Sequence, residues 1–192
     1  MVIERPTCYF EKKGKENTDR TLELAKKRAE ELEVKKVVVA SNTGETGLKA
    51  AKQFKGFKVI VVTHSAGFGG DNQQEMSEET KKDLMGLGAS ICTGTHAFGG
   101  VGRAVRKKLN TYQVDEVMAY TLRIVCEGFK VACEIALMAA DAGLVRTDEE
   151  IIAIGGSGKG ADTAVVLRPA HAQTFFDMEI LEIICKPRSR SK

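Results

Sequence analysis

The chain has 192 residues, of which 43% are hydrophobic and 29% charged, and its net charge is +3. That is enough for one well-buried domain, and the composition is that of an ordinary globular protein, which excludes disordered and fibrous classes. No apolar run approaches the ~20 residues that span a bilayer, the start "MVIERPTCYFEKKGKEN" is too charged and broken for a signal peptide, and no basic face with interleaved aromatics suggests a nucleic-acid partner. The expectation is a cytoplasmic protein with neither membrane nor nucleic acid as partner.

Read in chain order, Asp19–Glu33 carries Leu22, Ala25, Ala29 and Leu32 at helical spacing, with a charged opposite face. "KKVVVAS" is a valine-rich strand and "GLKAAKQF" a short helix; "FKVIVVTH" is the next strand. It empties into "SAGFGGDNQQEM", a glycine-rich loop without periodicity. "SEETKKDLMGLG" starts on Ser77, a good helix cap, and stops at Gly86 and Gly88. "ASICTGTH" is a third strand, followed by a glycine loop and a basic helix in "AFGGVGRAVRKKL". Thr111–Gly143 is mostly helical, with an interruption near Glu127-Gly128; "FKVACEIALMAADAG" is apolar nearly all round and predicts a buried helix. An apolar helix of that kind must be covered, either by the domain itself or by a second copy, and a homo-oligomer is slightly favoured. A fourth strand, "EIIAIGG", leads into "SGKGADTA", and two β-branched runs, "TAVVLRP" and "MEILEIICKP", close the chain too near each other for a parallel crossover, so they are expected antiparallel at the sheet edge. The basic tail, about residues 187–192, is expected to fray.

Alternating strands and helices in this order predict a single α/β domain over residues 1–192. It is a three-layer α/β/α arrangement with a mostly parallel sheet and an antiparallel edge. The five cysteines (Cys8, Cys92, Cys126, Cys133, Cys185) form no CxxC pair and accompany no histidine cluster, so reduced, mostly buried thiols are expected and no metal site.

Thirteen of the nineteen glycines follow directly on the four expected strands. In open α/β sheets ligands bind outside the carboxyl ends of the strands, and glycine lets backbone N–H groups approach an anion there. In "SNTGETG" the hydroxyls of Ser41, Thr43 and Thr46 surround Gly44 just before a helix N-terminus, a natural anion site; Ser41 or Thr43 acting only as a helix cap is the competing reading. The loop "IGGSGKGADTA" resembles a Walker loop but fails it. Ala153 stands where the first glycine belongs and Gly160 follows Lys159 where Ser or Thr would be needed, so an ATPase is not expected, while Lys159 is either a phosphate contact or an exposed turn lysine. "TGTHAFGGVGR" lacks GxGxxG, which removes a nicotinamide dinucleotide fold. His64 and His96 each follow a strand, which makes both candidate ligand contacts, with Thr63, Thr93, Gly94 and Thr95 beside them. No paired carboxylates and no nucleophile elbow emerge, so the residues describe a binding site before they describe an enzyme.

"VVVASNTGETGLKAAKQF" followed by "VIVVTH" resembles the start of the C-terminal domain of pyruvate kinase, and "IIAIGGSGKGADTAVVL" looks like the later part of that domain. The whole chain, including "GFKVACEIALMAADAGL" and "GADTAVVLRPAH", is similar to an archaeal-type family of stand-alone proteins with the pyruvate kinase C-terminal-like fold. That resemblance implies flavin mononucleotide (FMN) as a cofactor, its phosphate held by Ser41, Asn42, Thr43, Gly44, Glu45 and Thr46. Its ring would lie towards Thr63, His64, Thr93, Gly94, Thr95, His96 and the turn Gly155, Gly156, Ser157, Gly158, Lys159 and Thr163, and Phe68, Phe98, Tyr120 and Phe129 are the stacking candidates. Pyruvate kinase activity is not expected, since a catalytic barrel does not fit in 192 residues. A flavin-dependent oxidoreductase and a sugar-phosphate-sensing regulatory module are the alternatives to a binding protein for a small phosphorylated ligand.

Overall fold

The computed structural model describes residues 2–189; the last part of the basic tail, 190–192, lies outside them. Seven strands form one sheet: β1 (Cys8–Phe10), β2 (Lys36–Ala40), β3 (Lys58–Thr63), β4 (Ser90–Thr93), β5 (Ile151–Gly155), β6 (Thr163–Arg168) and β7 (Glu179–Pro187). Their order is β1-β7-β6-β5-β2-β3-β4, with β5, β2, β3 and β4 parallel and β6 antiparallel to both its neighbours. Helices α1 (Thr18–Glu31), α2 (Glu45–Gln53), α3 (Glu78–Gly86), α4 (Val101–Leu109), α5 (Val114–Leu122) and α6 (Glu127–Asp141) complete the fold.

The layers follow from the period-2 pattern of the strands. Val37, Val39, Ile152 and Ile154 pack with Leu22, Ala25 and Ala29 of α1 and Ala50 of α2 on one face. Val38, Ile151 and Ala153 pack with Ala132, Ile135, Ala136 and Ala139 of α6 on the other. Because α6 is covered by the sheet and its neighbours, twelve of its residues, Gly128–Lys130 and Ala132–Ala140, are buried within one chain. Arg28 of α1 reaches across to β7, where Nε and Nη2 donate to the two carboxylate oxygens of Glu182 at 2.7 and 2.6 Å. This fork pins the helix to the antiparallel half of the sheet.

Three details differ from the sequence expectation. A three-residue strand, β1, pairs in parallel with β7 and takes the outermost place, so the closing antiparallel pair is one strand in from the edge. Its three residues are too few for a hydrophobic pattern to reveal. The tail also holds longer than expected: β7 runs to Pro187 and the Arg188 N–H donates to the Phe10 carbonyl. The helical interruption falls at Arg123–Cys126, and Gly128 lies inside the first turn of α6. A Cβ at Gly128 would lie 2.2 Å from Thr163 Oγ1, so this glycine permits close approach of α6 to β6 and does not break the helix.

The chain runs outward from β2 through β3 to β4, then returns to place β5 on the other side of β2. The sheet therefore has its topological switch point between β2 and β5, where a crevice opens at the carboxyl ends of the strands.

Candidate functional site

A cavity of about 620 Å³ occupies that crevice, within the range of small-molecule sites. Its outer end is the turn after β2. Ser41 donates its N–H to the Val62 carbonyl at 2.9 Å, and its hydroxyl accepts from Gly47 N–H at 3.0 Å, which holds the turn shut. Gly44 precedes α2 with φ +95°, and no side chain at that position caps the helix. The N–H groups of Thr43, Gly44, Glu45 and Thr46 make no hydrogen bond among the described residues. Both functions proposed for Ser41 and its neighbours are thus divided: Ser41 acts as the cap, while Asn42, Thr43, Glu45 and Thr46 line the cavity beside open amides.

Two lysines face this end. Lys15 Nζ lies 2.7 Å from Glu45 Oε1, and Lys15 holds the Glu45 carboxyl below the usual carboxylate range, first by that hydrogen bond and then by charge, with Lys49 and Lys159 adding to it. Lys15 is brought here by a clasp between the N-terminal segment and the β5–β6 turn. Gly14 N–H donates to Asp162 Oδ2 at 3.0 Å, and Thr18 Oγ1 accepts from Ala161 N–H at 3.0 Å. Asp162 is fully buried, and its other oxygen accepts from Thr163 Oγ1 at 2.9 Å. Lys159, with Gly156, Gly158 and Gly160, completes the wall.

The inner end is a group of rings and charges. His64 pairs with Glu75, and its ring lies 3.9 Å from that of Phe68, centroid to centroid. Phe68 stacks on His96 at 4.9 Å, and the Arg103 guanidinium sits 4.9 Å above the Phe68 ring. The floor is α6, with Val131, Ile135 and Met138 beside two charges, Lys130 and Glu134. These two are each only 4% exposed and pair with each other; Glu134 Oε1 also accepts the Phe98 N–H at 3.1 Å. His96 Nδ1 is 3.7 Å from Glu134 Oε2. Burial lowers the His96 pKa to about 4; Glu134 opposes this, and His64, Lys130 and Arg103 reinforce it, so the imidazole is neutral at pH 7.

Of the residues expected at the site, Ser41, Asn42, Thr43, Glu45, Thr46, Thr63, His64, His96, Gly156, Gly158 and Lys159 line the cavity. The others lie outside its lining. Gly44 turns away beneath Thr80. Thr93 shares a 2.8 Å hydrogen bond with Thr63 at the strand ends, and Gly94 and Thr95 follow it, with Thr95 packed under Gly100. Gly155 lies against the α6 backbone. Thr163 is buried beside Cys126 Sγ at 3.4 Å, and Ser157 belongs to a neighbouring cavity of about 310 Å³ with Lys13 and Pro187. Among the stacking candidates only Phe68 lines the main cavity; Phe98 and Phe129 are core residues, and Tyr120 packs on Tyr112 at 5.8 Å. The residues that loop glycines could not reveal are Lys15, Glu75, Arg103, Arg123, Glu127, Lys130 and Glu134. For Lys130 and Glu134 a signal was present: they are an i,i+4 charge pair inside an otherwise apolar helix.

All five cysteines are free thiols, and no group of His, Cys, Asp and Glu able to hold a metal occurs among the described residues. No helix there is long and apolar enough to cross a membrane.

The family model for the pyruvate kinase alpha/beta domain matches residues 19–167. Among solved structures, a pyruvate kinase from Cryptosporidium parvum is 12% identical over 80% of this chain and 23% of its own, with a TM-score of 0.42. The Cryptosporidium parvum pyruvate kinase in complex with ADP is 13% identical over 95% of this chain and 25% of its own (TM-score 0.36), and a further structure of it is 12% identical over 95% and 24% (TM-score 0.35). The chain spans about a quarter of the length of these enzymes. It belongs to the pyruvate kinase alpha/beta domain family.

Proposed function

We propose that this member of the pyruvate kinase alpha/beta domain family binds a small phosphorylated aromatic ligand in the cavity, with FMN as the ligand that fits best. The observation that carries the proposal is the outer end. Open amides at the start of α2 and Thr43, Thr46, Lys15 and Lys159 line this end together, with the Glu45 carboxylate held by Lys15. A helix N-terminus with free N–H groups, hydroxyl donors and nearby cations suits a phosphate dianion. The inner end supports an aromatic body for the ligand. Val131, Ile135 and Met138 offer a flat apolar floor, and Phe68 and His96 a wall of rings.

These residues fit FMN as a donor set: anion donors at one end, apolar and ring contacts at the other. When bound, the flavin would supply two-electron redox chemistry. The chain's own part is to hold the phosphate, shield the ring faces from water, and keep a neutral His96 and the Lys130–Glu134 pair beside the ring. A flavin-dependent oxidoreductase is the extension of this reading, and its test is whether a reduced nicotinamide bleaches protein-bound flavin.

Quenching of flavin fluorescence measures the central point. FMN should bind at least about tenfold more tightly than riboflavin, which lacks the phosphate, in line with hydrogen bonds to a charged group. Equal affinity for the two would remove the phosphate from the Ser41–Thr46 turn. Family membership supports a second reading, a sugar-phosphate sensor; it would be favoured by a thermal shift with a sugar bisphosphate and none with FMN.

A further inference from the structure

We propose that Lys130 and Glu134 read the hydrogen-bonding edge of a nitrogen heterocycle, the ammonium donating to a ring acceptor and the carboxylate accepting from the N–H beside it. The inference rests on the outer end being the phosphate subsite, and it names the class of group attached to that phosphate.

Lys130 and Glu134 are one helical turn apart, are each 4% exposed, and line the same cavity. Next to them on α6, Val131, Ile135 and Met138 line the cavity and Ala132, Ala136 and Ala139 pack on the sheet; the other charge of α6 in the lining, Glu127, is paired with Arg123. Glu134 satisfies the Phe98 N–H, which any acceptor could do, and Lys130 has Glu134 as its hydrogen-bond partner, so packing alone does not call for two ions here. Desolvating two ions is costly, and an apolar pair of similar volume is often at least as stable. The two charges therefore occupy a cavity floor where packing alone would favour two more aliphatic side chains.

Both groups keep unused bonding capacity. A carboxylate has about four acceptor sites; Glu134 accepts from Lys130 and from the Phe98 N–H, and His96 Nδ1 lies 3.7 Å from its Oε2. An ammonium has three donors, and Lys130 has Glu134 as its hydrogen-bond partner, with the Phe98 ring 5.7 Å away. A donor and an acceptor held side by side match a ring N–H next to a carbonyl, as in a flavin or a uracil. A sugar hydroxyl, which donates and accepts at one atom, needs no such separation. The apolar residues on either side suit the faces of a planar ring and not a polyol. Fixed partners restrict both side chains: Phe98 N–H orients the carboxylate, and the helix holds both on one face.

The test compares each ligand with its N3-methyl derivative, which keeps the phosphate and the ring but loses the N–H. The probes are FMN with 3-methyl-FMN, and uridine monophosphate with its 3-methyl derivative, measured by calorimetry. Wild-type protein should prefer the unmethylated member of a pair by at least about tenfold, the scale of one hydrogen bond to a charged group. In the double variant Lys130→Met/Glu134→Leu that preference should fall to near one; this variant removes both charges together, so it leaves no unpaired ion in the core, and its thermal melt reports folding. A pair that binds without preference in wild type, or a preference that survives in the folded double variant, overturns this inference and leaves the phosphate subsite standing. Failure of every probe to bind overturns both the inference and the reading it rests on.

Discussion

The turn that opens α2 can be tested by filling it. Gly44 has φ +95°, and an added Cβ would stand 2.2 Å from Thr80 Cγ2 on α3. In Gly44→Ala the left-handed backbone costs about 1–2 kcal/mol, and forcing a methyl into a packed contact costs about 1–3 kcal/mol. The stiffer unfolded chain returns roughly 0.4–1 kcal/mol. The net expectation is a loss of about 1–4.5 kcal/mol, centred on ~3 kcal/mol. Thr80 cannot swing freely, because its hydroxyl shares a 2.9 Å hydrogen bond with Ser77 and its N–H is the one Ser77 caps. Thr80→Ser removes Cγ2 and keeps both bonds, so Gly44→Ala should cost about 1 kcal/mol less in that background. Equilibrium unfolding in urea, analysed as a double-mutant cycle, reads both quantities. A loss below about 0.5 kcal/mol for Gly44→Ala, or no coupling to Thr80, would refute the account of how this turn is built.

His96 has a folded-state pKa near 4 against an ordinary value of 6.5, so the unfolded chain binds more protons between those pH values and stability falls as pH drops from about 6.5 towards 4. The effect is on the order of 3 kcal/mol and should be absent from His96→Gln; the stability difference between the two proteins, measured from pH 7 to pH 4, would show no pH dependence if the imidazole were not buried neutral. Either Lys130→Met or Glu134→Gln alone strands a buried charge and should cost about 3–5 kcal/mol, whereas the double apolar replacement recovers most of it; equal losses for single and double variants in chemical denaturation would contradict a buried pair. Burial raises the thiol pKa of Cys133 and Cys185 to about 12 and pushes Cys92 and Cys126 up as well, so native protein at pH 8 should be alkylated first at half-buried Cys8; peptide mapping that finds Cys133 modified as fast as Cys8 would speak against this packing.

Much of the fold was legible because it rests on patterns a sequence carries directly. The valine runs of β2 and β3, the Leu22–Ala25–Ala29 stripe and the glycines after each parallel strand predicted the layers and the edge where the cavity lies. Gly128 was misleading for a physical reason: a glycine inside a helix and a glycine that ends one look alike until the Thr163 hydroxyl is seen where its side chain would be. β1 was invisible because its partner, β7, lies at the far end of the chain. In the site, the residues next to glycines could be named and the Lys130–Glu134 spacing carried a signal, while the charges brought by the N-terminal segment, α4 and the end of α5 could not be placed. Lys15 arrives only through the buried Asp162 clasp, and Arg103 and Arg123 only through the placement of α4 and the end of α5. Ser157 and Thr163 show the converse, as neighbours in sequence of cavity residues that lie in a different cavity or in the core.

The proposal that the cavity at the β2–β5 switch point takes a phosphorylated flavin is open to a simple loading test. The most direct measurement is the visible absorption spectrum of the purified protein, repeated after addition of FMN and removal of the excess by gel filtration. A flavin spectrum should travel with the protein and be lost in a folded Thr43→Ala/Lys159→Ala variant. A protein that stays colourless after loading, with its thermal stability unmoved by FMN, would contradict the proposal.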